Sequence, residues 1–464
     1  MGTLSIFDAA RERPSAVAFV AAGRRWSFAD AARACAPLAM ALWETAPPAL
    51  TLRPRADAES LLWLYAAFAT GTPVLTLHAR STPSEAERCV ALAGSREPPA
   101  PRPGRFDEAA VAGVEPGRTL AIIPTSGSSG APRLVAVSRR AALASAAASA
   151  ANLGWELGDR WLLCLPLAHA GGLSIVVRCL LGRATVLAFD GAEAGVLSRL
   201  PELTRALDDA TLVSLVPSVL DALLAQGFVA PPRLRAVLIG GAGCAPALSR
   251  RAHAAGLPLL TSYGLTETAS QVVTRPYAER HEPLPERGGV VSSGVPLAGV
   301  DLRLDSGRIA IRAPSLFDGY LGEGPASLDP DGFFLTSDHG EIGPRGELYV
   351  RGRVDDVIVS GGENVDPLEV EAALLTLPGV AAACVFGSTS ARFGQVVTAA
   401  LVTRDARLSD PTCLGQLLAD RLARHKHPRR AVLVERLPLT ASGKVDRRAC
   451  ASELAARLES TDTP

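Results

Sequence analysis

The run Thr125-Ser126-Gly127-Ser128-Ser129-Gly130, followed by Ala131-Pro132-Arg133, collects hydroxyl and glycine residues in the way an anion-binding loop does. Glycine accepts the backbone angles that turn N–H groups inward, and the hydroxyls add donors. The apolar run Leu120-Ala121-Ile122-Ile123 before it reads as a buried strand, and residues 139–152 after it read as an Ala-rich helix. A junction of that kind brings a helix N-terminus close to a bound anion. No Gly-Lys-Ser/Thr closes the loop, so it is not a Walker loop. From this stretch alone, a Ser/Gly-rich surface turn is the alternative.

Other chemistry-bearing groups follow apolar runs in the same way. Pro166-Leu167-Ala168-His169-Ala170-Gly171-Gly172 follows 161–165, and Gly240-Gly241-Ala242-Gly243 follows 235–239. Tyr263-Gly264-Leu265-Thr266-Glu267-Thr268 comes after 258–261 and reads as a loop. Thr336-Ser337-Asp338 puts a carboxylate at an expected strand end, and Ser442-Gly443-Lys444 puts an ammonium on a flexible segment. Arg178 interrupts the apolar run Leu173-Ser174-Ile175-Val176-Val177, where burial is expected. A buried arginine needs an anionic partner, either a substrate carboxylate or an internal ion pair.

The elements that must position these groups alternate. Apolar runs at 161–165, 184–189, 211–216, 235–239 and 258–261 read as strands, with helices such as 196–207 and 245–255 between them. That alternation predicts an α/β fold with a parallel sheet covered on both faces, whose ligands lie at the carboxyl ends of the strands. From about Gly289, short alternating strands at 300–304, 308–312 and 346–350 predict an antiparallel β subdomain. After Arg353 the texture changes to a small α+β unit that can move against the first, with strands at 357–359, 382–386 and 396–403 and helices at 367–377 and 411–424. The expected division is 1–353 and 354–464. A chain of 464 residues calls for more than one domain.

Composition narrows the class. Lys+Arg and Asp+Glu balance at 47 each, so bulk charge points to no nucleic-acid or membrane partner. The eight cysteines contain no Cys-x-x-Cys pair, as expected for reduced thiols in a cytoplasmic protein. Asp8, Arg11, Glu12 and Arg13 interrupt any signal-peptide core, and Arg178 and Arg183 interrupt the most apolar stretch, so no membrane insertion is expected.

Taken in order, the motifs at 125–130, 263–268, 336–338, 352–356 and 442–444 resemble the adenylate-forming superfamily of acyl-CoA synthetases, peptide-synthetase adenylation domains and luciferases. The resemblance runs from about Thr119 to Arg448. Within that group, 165–174, 214–218 and 360–365 look most like the o-succinylbenzoate–CoA ligases of menaquinone biosynthesis. The resemblance implies a ligase in which a carboxylate attacks the α-phosphorus of ATP and the acyl-adenylate then passes to CoA. ATP, Mg2+ and CoA are the implied cofactors and co-substrates, and a small carboxylic acid is the remaining partner. The alternatives are a ligase for another aryl, fatty or dicarboxylic acid, or a nucleotide-binding paralogue without catalysis.

By the same resemblance, Glu267 would hold Mg2+, and Thr266 and Thr125 would bond phosphate oxygens with Ser126, Gly127, Ser128, Ser129 and Gly130. Gly241, Ala242, Tyr263, Gly264 and Thr268 would complete the nucleotide site. Asp338 would bind both ribose hydroxyls, with Arg353 in support. Lys444 would be the catalytic cation of adenylation, Asp355 the hinge, and Ser360, Gly361 and Gly362 the CoA tunnel. His169 would gate the acyl pocket or contact a substrate carboxylate, a structural histidine being the other reading. Arg178, Ser214 and Thr268 would meet the acid. Pro132-Arg133-Leu134 departs from the usual Pro-Lys-Gly: Arg133 keeps the charge on a planar, bulkier group, and Leu134 removes a glycine.

Overall fold

The computed structural model describes residues 3–103, 106, 114–126, 132–191, 195–353, 356–360, 363–390, 393–440 and 445–459. Gly127, Ser128, Ser129, Gly130, Asp355, Gly361, Gly362 and Lys444 lie outside the described residues, as does the side chain of Ser126.

Continuous apolar runs become strands buried on both faces. Val17–Ala21, Thr185–Ala188, Arg160–Leu163, Leu212–Leu215, Ala236–Ile239 and Leu259–Leu265 lie side by side and parallel. Antiparallel strands close this nine-stranded sheet, Arg24–Ser27 on one edge and Ser270–Thr274 with Val295–Pro296 on the other. A second, six-stranded sheet begins with parallel Leu50–Leu52, Val74–Thr76 and Thr119–Ser126. It continues antiparallel through Pro132–Ser138, Gly319–Tyr320 and Gly324–Pro325.

Between the sheets run the helices Arg139–Leu153 and Ala170–Gly182. Ser138 caps the first by accepting from the Ala141 N–H at 3.3 Å. Ala141, Ala142 and Ala146 of the first helix share a core with Leu173 and Val177 of the second. Asp301–Asp305, Arg308–Arg312, Phe334–Ile342 and Leu348–Arg353 form the antiparallel subdomain. From residue 358 onward a separate sheet of Glu363–Val365, Ile358–Ser360, Gly394–Thr403 and Val380–Ser390, joined by Arg430–Leu433, builds its own cores. Among the described residues no helix is long and apolar enough to cross a membrane.

Four local expectations change. Residues 132–138, given no element from the sequence, are a strand, so the glycine/hydroxyl loop joins two antiparallel strands, while the helix begins at Arg139 as expected. Leu134, Val135 and Val137 are buried and suit a pleated surface better than a loop. The strand expected to end at Thr261 runs on to Leu265, because Ser270–Thr274 folds back to pair with it through a tight turn at Thr266–Thr268. Asp338 lies inside Phe334–Ile342 rather than at its end, the strand continuing through a register shift at His339/Gly340. Residues 196–207 divide into a 3-10 turn, Val196–Arg199, and a helix, Leu200–Leu207, with Pro201 in the first turn of the helix.

Candidate active site

The corner between Leu259–Leu265 and Ser270–Thr274 anchors the site. A Cβ on Gly264 would lie 2.0 Å from the Ser270 carbonyl oxygen, so only glycine lets the two strands approach this closely. Thr268 is fully buried. Its hydroxyl accepts from the Leu265 N–H at 2.8 Å and donates to the Ser270 carbonyl at 2.6 Å, which commits it to the turn. Ala269 and Ser270 then take φ of 51° and 97°, uncommon for residues with a Cβ. The Ser145 hydroxyl holds this corner by donating to the Ala269 carbonyl at 2.8 Å.

Two carboxylates meet the corner from other elements. The Tyr263 hydroxyl donates to Asp338 Oδ2 at 2.7 Å. Burial, then the Asp338 charge, drives the Tyr263 pKa upward, so the phenol remains a donor. Asp338 is buried, and Arg353, its cross-strand partner, brings Nε to 3.7 Å from Oδ1. Glu267, half-buried in the turn, accepts from the Tyr320 hydroxyl at 2.8 Å. Thr266 lies beside it, half-buried in the same turn. Thr125 donates to the Arg133 carbonyl at 3.2 Å across the hairpin base. Gly241, with φ of 81°, and Ala242 are exposed in the loop after Ala236–Ile239.

Among the described residues no cluster of three or more His, Cys, Asp or Glu could cage a metal. A lone carboxylate nevertheless fits Mg2+, which keeps its waters and binds one or two carboxylates together with phosphate oxygens. Glu267 is the residue that would hold it.

Behind the corner opens a cavity lined by Ser145, Ala170, Leu173, Ser174, Arg178 and Ala269, among others. Arg178 projects from Ala170–Gly182 and is 2% exposed. Its Nη1 and Nη2 reach only Gln271 Oε1 at 3.5 Å and Ser270 Oγ at 3.4 Å, while Nε has no partner among the described residues. No described carboxylate pairs with it, so the internal ion pair is not formed there. Burial pushes its pKa down to about 10. The guanidinium lies 5.5 Å from the centroid of Trp161, whose indole N–H donates to Ser214 Oγ at 3.2 Å. Ser214 is thus tied to the indole that the guanidinium faces.

His169 precedes the same helix, its ring 5.3 Å from that of buried His78. Gly172 is obligatory here, since a Cβ would fall 2.3 Å from the Pro166 carbonyl oxygen. Ser360 is buried in the C-terminal sheet. Sequence reasoning missed Tyr320, His78, Trp161 and Gln271. For Tyr320 a signal was available: a tyrosine beside glycine in a strand has a hydroxyl that must find a partner.

The family model for AMP-binding enzymes matches residues 97–321, and that for the AMP-binding enzyme C-terminal domain matches 369–444. The 2-succinylbenzoate–CoA ligase of Bacillus velezensis is 34% identical over 376 residues, 78% of this chain and 74% of that protein. Its counterpart from Listeria innocua is 34% identical over 334 residues, covering 71% and 69%. The o-succinylbenzoate CoA synthetase (MenE) of Bacillus subtilis in complex with its acyl-adenylate intermediate superposes with a TM-score of 0.81 at 26% identity, over 96% of this chain and 97% of that one. The same enzyme with ATP and magnesium ion gives 0.81 at 28%, over 96% and 98%. With a parallel-sheet domain, a hairpin corner carrying Glu267 and two family models matched in order, the chain belongs to the AMP-binding enzyme family.

Proposed function

We propose that this chain is an ATP-dependent acid–thiol ligase that converts 2-succinylbenzoate to its CoA thioester through an acyl-adenylate, as a step of menaquinone biosynthesis. The observation that carries the choice of acid is Arg178: a buried guanidinium beside a mostly apolar cavity, with no carboxylate of its own among the described residues. An aryl ring suits such an apolar lining once the side chains around it part, and a second carboxylate on that acid supplies the missing anion. The likeness to 2-succinylbenzoate–CoA ligases supports the same reading.

In the first half-reaction the acid's reacting carboxylate attacks the α-phosphorus of ATP and pyrophosphate leaves. Two anions must be brought together, so the site has to align them and offset charge. Asp338 accepts from the ribose hydroxyls and is held by Tyr263 and Arg353. Thr266 and the loop 126–130 donate to phosphate oxygens, Thr125 joins them by turning its hydroxyl from the Arg133 carbonyl, and Gly241, Ala242 and Gly264 give the nucleotide room. When bound, Mg2+ on Glu267 offsets charge on the phosphates. Lys444 completes adenylation by bridging the attacking carboxylate and the nucleotide. In the second half-reaction the CoA thiol displaces AMP, with 354–464 turning about Asp355 so that 360–362 lines the thiol's path and His169 gates it. The domain limits 1–353 and 354–464 and a cytoplasmic location belong to the same proposal.

A pyrophosphate-release screen over aryl, fatty and dicarboxylic acids with CoA tests it. 2-Succinylbenzoate is expected to lead by at least tenfold in kcat/KM. A lead for benzoate or octanoate by that margin removes the assigned acid.

A further inference from the structure

The departure Pro132-Arg133-Leu134 has a physical account in the structure. Leu134 is buried beside Leu75, Leu77, Cys89 and Ile122, so it serves the core under the six-stranded sheet and not the loop. Arg133 points the other way. Its Nε donates to Glu323 Oε1 at 2.9 Å and its Nη2 to Oε2, a bidentate pair. Its guanidinium carbon also sits 3.3 Å above the centroid of the Tyr320 ring. The Tyr320 hydroxyl in turn donates to Glu267 at 2.8 Å.

The geometry has a local origin. Tyr320 pairs antiparallel with Val135, which brings the ring alongside Arg133 two residues earlier. The chain then turns at once: the Glu323 N–H bonds the Tyr320 carbonyl at 2.9 Å, and Gly322 takes φ of 83° to allow it. Glu323 is thereby delivered to the open edge of the guanidinium. Phe317 buttresses the ring edge-on at 4.9 Å and bonds the Glu267 carbonyl through its N–H at 2.8 Å. Lysine could not make this arrangement, because only a planar fork stacks on a ring and pairs a carboxylate bidentately at once.

From these contacts we infer that Tyr320 is a positioning residue for Glu267, and that Arg133, clamped by Glu323, holds the Tyr320 ring in place rather than binding the phosphates of ATP. This deepens the proposed function and rests on its assignment of Glu267 to the metal. The Tyr320 hydroxyl bonds one oxygen of Glu267 and orients the carboxylate, leaving the second oxygen for the cation. The charge that an ordinary phosphate-loop lysine supplies is here paired with Glu323 at the protein surface.

The test measures equilibrium binding of ATP to the full chain, without acid or CoA, titrated with Mg2+ and repeated in EDTA. Glu267→Gln, Tyr320→Phe and Arg133→Lys are compared with the parent, with thermal melting as the check on folding. Tyr320→Phe is expected to raise the half-saturating Mg2+ roughly 3- to 10-fold, the loss of one charge-assisted hydrogen bond at a half-buried site. Arg133→Lys is expected to raise it roughly threefold, with ATP binding in EDTA unchanged in both variants. If Glu267→Gln shifts the Mg2+ requirement while Tyr320→Phe stays within twofold of the parent, the positioning role is overturned and the metal assignment stands. If Glu267→Gln shifts nothing, the metal assignment falls and takes this inference with it. If Arg133→Lys changes ATP binding equally with Mg2+ and with EDTA, Arg133 is a direct phosphate ligand and the inference fails.

Discussion

Replacing Arg178 by methionine should do two opposite things. The side chain is 2% exposed, has no described carboxylate within reach, and burial pushes its pKa down to about 10. A fall of that size corresponds to roughly 3 kcal/mol against the charged form. Methionine has a similar length and fits against Leu173, Val177 and Trp161 without the charge. The ligand-free variant should therefore be more stable than the parent, by about 1–3 kcal/mol after lost contact with the indole, and its Tm should rise. Binding of a dicarboxylate should move the other way. An acid whose second carboxylate pairs with a buried arginine loses about 2–5 kcal/mol when the arginine goes, a KM increase of roughly 30-fold or more. A monocarboxylic aryl acid of the same bulk should show no such loss, and KM for ATP should hold. Differential scanning fluorimetry with and without each acid, beside steady-state pyrophosphate release, gives both readings. A lower Tm in Arg178→Met with an unchanged KM for the dicarboxylate would refute the reasoning and return Arg178 to a structural role.

Three further outcomes are expected. Gly264→Ala sets a methyl 2.0 Å from the Ser270 carbonyl oxygen, so it should cost about 3 kcal/mol or more and speed amide exchange across 263–271, read by hydrogen exchange. Lys444→Ala should abolish acyl-adenylate formation yet spare thioester formation from supplied acyl-adenylate, followed by separate half-reaction assays; equal loss in both would remove its assigned role. Asp366, half-buried at the start of Pro367–Leu374, has its pKa raised to about 6, first by burial and then by Glu369 and Glu371. The folded protein then binds more protons than the unfolded chain between about pH 4 and pH 6, so this group's contribution to stability falls as pH rises through that window. Asp366→Asn keeps the cap on the Leu368 N–H, and should be more stable than the parent at pH 7 by at most about 3 kcal/mol and equal to it near pH 4. A variant that lags the parent at pH 7 would show that the charge is satisfied as it stands.

The parallel sheet was legible because 161–165 and 236–239 are apolar without alternation, as expected of a doubly covered strand. The polar groups of the site were legible as types: Glu267, Asp338 and Arg178 each stand out against their neighbours. Their partners were not, because Tyr263 meets Asp338, and Tyr320 meets Glu267, across 75 and 53 residues of chain. The strand at 132–138 was not foreseen for a related reason. Leu134-Val135-Ala136-Val137 is too short a run to separate strand from helix by periodicity, and the helical Ala-rich stretch follows immediately. Tertiary pairing with Thr119–Ser126 decides it.

That reassignment changes the electrostatics of the loop 126–131. As a strand-to-helix junction it would have had a helix N-terminus, with its partial positive charge, pointed at the phosphates. As the connection of an antiparallel hairpin it has peptide N–H groups and hydroxyls but no macrodipole behind them. The arginines named for this site do not make up the difference: Arg133 is paired with Glu323 and Arg353 lies 3.7 Å from Asp338. On the proposed assignments, the positive charge needed beside a triphosphate would arrive with the nucleotide or after it, as a divalent cation on Glu267 and as the Lys444 ammonium. ATP binding should accordingly fall at least tenfold in EDTA, and weaken only modestly in Lys444→Ala if the lysine enters late. Tight ATP binding by the parent in EDTA would mean that the hairpin loop alone neutralises the phosphates, and the charge account given for this site would be wrong.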